Sequence, residues 1–294
     1  MEEKYLNEFK PISLENAKLI ASGATGECYR IAPDQVVKLY YEDFPTEMIK
    51  EEKYNSRLAL VSGINTAISY EMVRYKNRQG VVYELIDART VSEIIRSDPK
   101  CIGEMGTKMG SLAKSIHSSV GETSKLKPAS SIIRYGLDKN SIFPDFVIKG
   151  AYDSLNELDK QNSFVHGDYN VNNVMIMENE PVLIDMGDFS RGCPMFDLAT
   201  LYFSLFESPE ALRPGVNAFT GLTPEQHREL WDNITREYFD TDNFDVATSQ
   251  SEEAKLIKKI ALLKEIWFVI LYGYRYPDEY TELIKKKALA EYGA

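Results

Sequence analysis

Asp168 and Asn173 stand five residues apart in the run Phe164-Val165-His166-Gly167-Asp168-Tyr169-Asn170-Val171-Asn172-Asn173-Val174-Met175-Ile176, and His166 precedes the aspartate by two. A second carboxylate, Asp185, closes the apolar run Val182-Leu183-Ile184, just before Met186-Gly187-Asp188. Phosphoryl transfer needs groups of these types. One carboxylate orients the attacking hydroxyl and accepts its proton, while an amide oxygen and a second carboxylate hold Mg²⁺ on the nucleotide phosphates. Asp168, Asn173 and Asp185 fit those three roles.

The elements around them read as follows. Apolar runs on either side of the 166–173 loop make it a turn between two buried strands. Upstream, Lys18 to Ile31 gives strand, glycine turn (Gly23-Ala24-Thr25-Gly26) and strand, and Gln35-Val36-Val37-Lys38-Leu39-Tyr40 is a third strand after the Pro33-Asp34 turn. Glycines in such a turn let backbone N–H groups approach phosphates closely, although alone the turn is commonly structural. No Gly-x-x-x-x-Gly-Lys-Ser/Thr occurs, which disfavours a P-loop. Lys38, on an apolar strand one hairpin after the glycine turn, reads as a phosphate-anchoring lysine rather than a snorkelling one. A helix from Pro45 to Leu60, capped by Thr46, offers Glu51 or Glu52 as its partner; Glu52 is preferred because it falls near the face of Met48, Ile49 and Leu60. A hairpin over Ala67–Tyr75 and Val81–Ile86 completes a five-stranded antiparallel sheet with one helix. Residues 1 to about 16 form a short leader that packs on the first strand.

Asp87-Ala88-Arg89-Thr90 reads as a hinge, after which the chain turns helical. Thr90, Thr223 and Ser251 are helix caps, and a longer helix runs from about Ile102 to Val120 with His117 at its end, where a core or capping histidine is expected. Asp197, in the first turn of a helix after Pro194, either compensates the helix dipole or braces the catalytic loop. The acids between Asp232 and Glu253, and Lys285-Lys286-Lys287, read as solvated surface.

The totals exclude several classes. A length of 294 residues allows two lobes, and a net charge of −11 disfavours nucleic acid as a partner while permitting a cationic substrate. No apolar run approaches the roughly 20 residues of a membrane span. Met1-Glu2-Glu3-Lys4-Tyr5 lacks signal-peptide character, and three scattered cysteines suit a reduced compartment, so a cytoplasmic location is expected.

Each piece has a bland reading; their order does not. Glycine turn, strand lysine, helix glutamate, apolar hairpin, His166-Gly167-Asp168 with Asn173, Leu183-Ile184-Asp185-Met186-Gly187-Asp188 and Phe196-Asp197-Leu198-Ala199 together resemble the protein-kinase-like fold, in its aminoglycoside-phosphotransferase and choline-kinase branch. The resemblance covers about residues 15 to 205. It implies an α+β, bilobal fold with a nucleotide-binding lobe (1–87) and a mostly helical catalytic and acceptor-binding lobe (88–294). It also implies that Gly23, Ala24, Thr25 and Gly26 cover the triphosphate and that Lys38, paired with Glu52, binds the α/β-phosphates. Glu84 to Ile86 offer backbone groups to the base. Asp168 is the catalytic base, Asn173 and Asp185 bind Mg²⁺, His166 and Asp197 support the loop, and Asp188 hydrogen-bonds backbone. Tyr169-Asn170-Val171-Asn172 departs from the branch's usual Leu-His-Pro-Gly-type filling of the loop. Gly167 stands where protein kinases carry an arginine, and Asp185 and Asp197 are only twelve residues apart, leaving little room for a phosphorylated activation segment. The implied activity is transfer of the γ-phosphate of ATP or GTP to a hydroxyl of a small molecule. The rivals are a nucleotide-binding pseudokinase or interaction module, and an atypical protein kinase.

Overall fold

The structure, a computed structural model, describes residues 8–242 and 244–293. The chain forms two compact units, one drawn from Met1–Arg89 and Met175–Phe189, the other from Thr90–Val174 and Ser190–Ala294.

The first unit is built on a sheet of strands β1 (Lys10–Pro11), β2 (Lys18–Ser22), β3 (Gly26–Ala32), β4 (Gln35–Tyr40), β5 (Ser69–Tyr75) and β6 (Arg78–Glu84), in the order β1-β5-β6-β4-β3-β2, with helix α1 (Thr46–Val61) between β4 and β5. Side chains alternate across a strand, and this decides where Lys38 goes. Val37 and Leu39 join Val73 and Val82 in one buried cluster. Tyr40 packs on the opposite side with Ile49 of α1, Val81 and Phe9. Lys38 shares the parity of Tyr40 and so faces α1.

The sheet has six strands, not the five antiparallel ones expected. The addition comes from the leader: Lys10 and Pro11 pair in parallel with Val73 and Arg74 of β5, and Phe9 is buried beneath them. The leader therefore docks at the edge opposite β2, not on that first strand; its residues 1–7 lie outside the described residues. A two-residue strand has too little periodicity to be read locally. Thr46 is the first helical residue rather than the cap, which is Pro45; the Thr46 hydroxyl donates to Gln79 Oε1 at 2.7 Å.

The second unit begins after a short strand β7 (Arg89–Thr90) and contains α2 (Val91–Ser97), α3 (Ile102–Ser118), α4 (Ser131–Leu137), α5 (Asp145–Leu158) and β8 (Ser163–Val165). Strands β9 (Val174–Met177) and β10 (Glu180–Leu183) follow and, from Met175 on, belong to the first unit. The chain then continues through β11 (Ser190–Gly192), α6 (Met195–Tyr202), a π-helical turn (Phe203–Glu207), α7 (Pro224–Phe239), α8 (Glu252–Tyr272) and α9 (Asp278–Tyr292). Thr90 and Thr223 close capping boxes with Glu93 and Gln226, and Ser251 caps α8 by accepting from Ala254 N–H. Helix α8 is the centre of this unit, burying Ile257, Ile260, Leu263, Ile266 and Val269 among others. Lys287 is not simple surface: its ammonium bridges Glu207 (2.5 Å) and the buried Glu265 (2.7 Å). Among the described residues no helix is long and apolar enough to cross a membrane.

Candidate active site

Lys38 Nζ donates to Glu52 Oε1 at 2.8 Å and Oε2 at 3.1 Å, and to Asp185 Oδ1 at 2.9 Å. Glu52 is buried, and the Tyr83 hydroxyl also donates to it at 3.2 Å. Asp185 is brought to the lysine by a seam of hydrogen bonds. Leu183 N–H donates to Asn65 O (2.9 Å), the Thr66 hydroxyl to Leu183 O (3.0 Å), and the Asn55 amide of α1 to Met186 O (3.2 Å). Asp185 itself sits at φ 61°, a left-handed conformation that aspartate tolerates better than most residues. Its side chain is about half exposed while that of Lys38 is not. Burial opposes the charge on Lys38, but Glu52 and Asp185 outweigh it and hold the ammonium pKa above the usual lysine value. Burial pushes Glu52 up, with Lys38 pulling the other way. Glu51, the rejected alternative, lies elsewhere on α1, whose buried positions are Ile49, Glu52, Asn55, Ser56 and Ala59. Met48 and Leu60, used to define that face, are in fact exposed.

The glycine turn is exposed at Gly23 and Ala24 and buried at Gly26, and its two glycines differ. A Cβ on Gly26 would lie 2.3 Å from Leu39 O, so strand pairing alone demands glycine there. A Cβ on Gly23 would meet nothing closer than Gly26 O at 3.9 Å. Gly23, Ala24 and Thr25 are held by bonds from Gly23 N–H to Gly26 O and from Tyr41 N–H to Thr25 O. At the other end of the sheet, the N–H groups of Glu84 and Leu85 are given to Ile68 O and Asp34 O. Ile86 lies beyond them, packed with Ala67 and Val182.

In the second unit the 166–173 loop is tied at both ends. Strand β8 enters it, pairing with β11. Buried Asp197 accepts from His166 N–H and Gly167 N–H, each at 2.8 Å, and pairs with His117 Nε2 at 3.1 Å. Burial opposes the charge on Asp197, yet the His117 bond and the His166 N–H keep its carboxyl below the ordinary range. Gly167 has φ +86°, where a side chain would be strained. Asn173 Nδ2 donates to Asp168 O (2.9 Å) and Oδ2 (2.8 Å), and Asn170 Nδ2 to Asp168 O (3.0 Å) and Oδ1 (3.1 Å). The Tyr169 hydroxyl anchors the loop to Met109 O at 2.6 Å, and Ser92 to Asn172 Oδ1 at 2.6 Å. Asp188 lies exposed in the 3₁₀ turn after Asp185.

The structure thus collects Lys38, Glu52 and Asp185 in the first unit, and Asp168, Asn173, His166 and Asp197 in the second. His117 is buried, as a core histidine would be, but its bond to Asp197 and the bonds of Asn170 to Asp168 escaped the sequence reading. A histidine ending an apolar helix and one asparagine among three carry no signal of their partners. Among the described residues no group of three or more His, Cys, Asp or Glu side chains could hold a metal ion.

Comparison with solved structures gives the fold its class. The chain resembles amicoumacin kinase hAmiN, solved with AMP-PNP, Ca²⁺ and Ami, at 14% identity over 98% of this chain and 92% of that one, with TM-score 0.64. It resembles a choline/ethanolamine kinase family protein from Mesorhizobium loti at 14% identity over 93% and 87% of the two chains, TM-score 0.58. The gentamicin complex of APH(2'')-IIa gives 18% identity over 94% and 90%, TM-score 0.56. The fold is therefore the mixed α+β, kinase-like one. The model of the phosphotransferase enzyme family matches residues 67–230, more than half of the chain, and the chain belongs to that family. It is an enzyme, a small-molecule kinase that moves phosphate to a hydroxyl group. No curated protein matches by sequence.

Proposed function

We propose that this protein transfers the γ-phosphate of ATP or GTP to a hydroxyl of an aminoglycoside-, amino alcohol- or sugar-like acceptor. The observation that carries the reading is the convergence of Lys38, Glu52 and Asp185 from three segments, 14 and 147 residues from the lysine. In this reading residues 1–87 form the nucleotide-binding lobe and residues 88–294 the catalytic and acceptor-binding lobe, in a cytoplasmic protein.

The residues divide the work by chemistry. Glu52, buried and bonded by Tyr83, fixes the Lys38 ammonium where it can bind the α/β-phosphates. The Gly23–Gly26 turn covers the triphosphate, with Gly23 N–H kept within the turn by Gly26 O, and the Glu84–Ile86 segment receives the base. Because the Glu84 and Leu85 donors are already used inside the sheet, Ile86 N–H is the donor assigned to the base. Asp168 orients the acceptor hydroxyl and takes its proton. Asn173 commits its amide hydrogens to Asp168, and its oxygen is the atom assigned to the metal.

Asn173 and Asp185 are the residues that would hold Mg²⁺. Both donors are hard oxygens, and Mg²⁺ is commonly bound by one or two carboxylates together with substrate phosphates rather than by a protein cage. When bound, the ion neutralises charge on the transferring phosphoryl group. Similarity to a kinase solved with AMP-PNP and Ca²⁺ supports a nucleotide and a divalent cation as ligands.

A coupled ADP- and GDP-release screen across aminoglycosides, amino alcohols, sugars and nucleosides tests this. Saturable, acceptor-dependent release with one class is expected. Phosphate incorporated into a protein instead would favour an atypical protein kinase, and no Mg-nucleotide turnover with any acceptor would favour a pseudokinase.

A further inference from the structure

Asp197 braces the catalytic loop, but something must brace Asp197. On α3, Gly106 and Gly110 let α7 come close: a Cβ on Gly106 would lie 2.5 Å from Asn233 Cβ, and one on Gly110 2.6 Å from Ile234 O. His117, two turns beyond Gly110 on the same face, is thereby met by Tyr238 from the end of α7, whose hydroxyl lies 2.7 Å from His117 Nδ1. The other ring nitrogen, Nε2, reaches Asp197 Oδ2 at 3.1 Å. The side chains of both His117 and Asp197 are almost wholly buried.

A neutral imidazole offers one donor and one acceptor. Tyr238 can donate to Nδ1, and Nε2 then carries the proton to Asp197, so both ring nitrogens of His117 are satisfied. The opposite tautomer would set a bare Nε2 lone pair against a buried carboxylate. On the far side, Asp197 fixes the N–H of Gly167 and the Thr200 hydroxyl donates to Gly167 O at 3.3 Å, so the peptide preceding Asp168 is held from both ends.

We propose that Tyr238 and His117 are positioning residues of this enzyme: Tyr238 selects the Nε2–H tautomer of His117, which holds Asp197 and, through the Gly167 backbone, the orientation of Asp168. The inference rests on the reading of Asp168 as the base. Neither side chain is assigned a contact with substrate; displacement of the loop is their route to the reaction.

Long-range ¹H–¹⁵N spectra of histidine-labelled protein provide a test that needs no substrate. The chain has three histidines, and loss of one resonance set in His117→Gln identifies the ring. An Nε2–H tautomer whose Nδ1 signal moves in Tyr238→Phe is expected; an Nδ1–H ring would overturn the proposal. Kinetics give the second test, read as acceptor phosphorylation or, without acceptor, as Mg-ATP hydrolysis. His117→Leu should lower kcat about 10- to 100-fold, as small misplacements of catalytic groups do, with nucleotide KM little changed. His117→Gln, which restores a donor toward Asp197, should recover most of that loss. Equal losses in the Leu and Gln variants, or unchanged kcat in His117→Leu while Asp168→Asn is inactive, would sink it. Wild-type turnover in Asp168→Asn would instead remove the underlying reading. Should His117→Leu not fold, Tyr238→Phe carries the kinetic test, with a smaller fall in kcat expected and no fall counting against the proposal.

Discussion

Asn173 donates its side-chain amide to both the backbone carbonyl and the carboxylate of Asp168, at 2.9 and 2.8 Å, so the two residues form one unit. A proton acceptor whose orientation is fixed in this way loses little on adopting its reactive pose. Asp168→Asn should therefore lower kcat by about 10²- to 10⁴-fold, the usual scale of general-base assistance, with only a modest effect on nucleotide affinity. Steady-state turnover and nucleotide titration check this; wild-type-like kcat removes Asp168 from the mechanism.

Replacing Lys38 with Met leaves Glu52 buried without its cation. Breaking a buried pair in this way costs about 3–5 kcal/mol, and nucleotide affinity should fall with it. Urea denaturation of the variant measures the loss, and a change within error of zero would show that the pair is not the anchor of this unit.

That Lys38 pair has a pH signature. Its folded pKa is raised by Glu52 and Asp185, so its stabilisation is fully present below the unfolded lysine value of about 10.4 and is lost as pH rises through the folded value. The stability gap between wild type and Lys38→Met should persist from neutral pH to about 10 and narrow only beyond. A gap that closes near neutral pH would contradict the raised value.

Glu265 gives the opposite test within the second unit. Burial, only partly offset by Lys287, lifts its carboxyl to about 8. The folded state then binds a proton more tightly than the unfolded one, so stability falls as pH rises from about 4.3 through about 8. Glu265→Gln should flatten that decline in melting curves recorded across the window. An unchanged slope would mean that Glu265 titrates normally.

The two glycines of the turn should separate fold from function. Gly26→Ala forces a Cβ onto Leu39 O at 2.3 Å and should destabilise the sheet by about 1–3 kcal/mol, the scale of overpacking. Gly23→Ala makes only an ordinary contact with Gly26 O at 3.9 Å and should change stability by less than about 0.5 kcal/mol while weakening nucleotide binding. Equal melting points for the two variants would refute this distinction.

Strand parity was legible in Gln35-Val36-Val37-Lys38-Leu39-Tyr40, because alternation along a strand is a local property. The caps at Thr90, Thr223 and Ser251 were legible for the same reason. Thr46 was misread because its hydroxyl is taken by Gln79, 33 residues away. The face of α1 was misjudged because its buried side is largely polar, with Glu52, Asn55 and Ser56 in it, so hydrophobic periodicity carries little signal there. Lys10–Pro11 became a strand only because β5 offered an open edge. Lys287 left the surface only because Glu207 and Glu265 were brought to it.

The sequence by itself determined the order of the parts: glycine turn, lysine, helix acid, His166-Gly167-Asp168, Asn173 and Asp185. It also confined each to a strand, helix or loop, since motif spacing and periodicity are written along the chain. Tertiary structure alone decided the partners. That Asp185 reaches Lys38 across 147 residues, and that His117 rather than another polar group holds Asp197, follow from strands stitched side by side and helices drawn together over glycine. Such contacts depend on distances through space, which the spacing of residues along the chain does not encode.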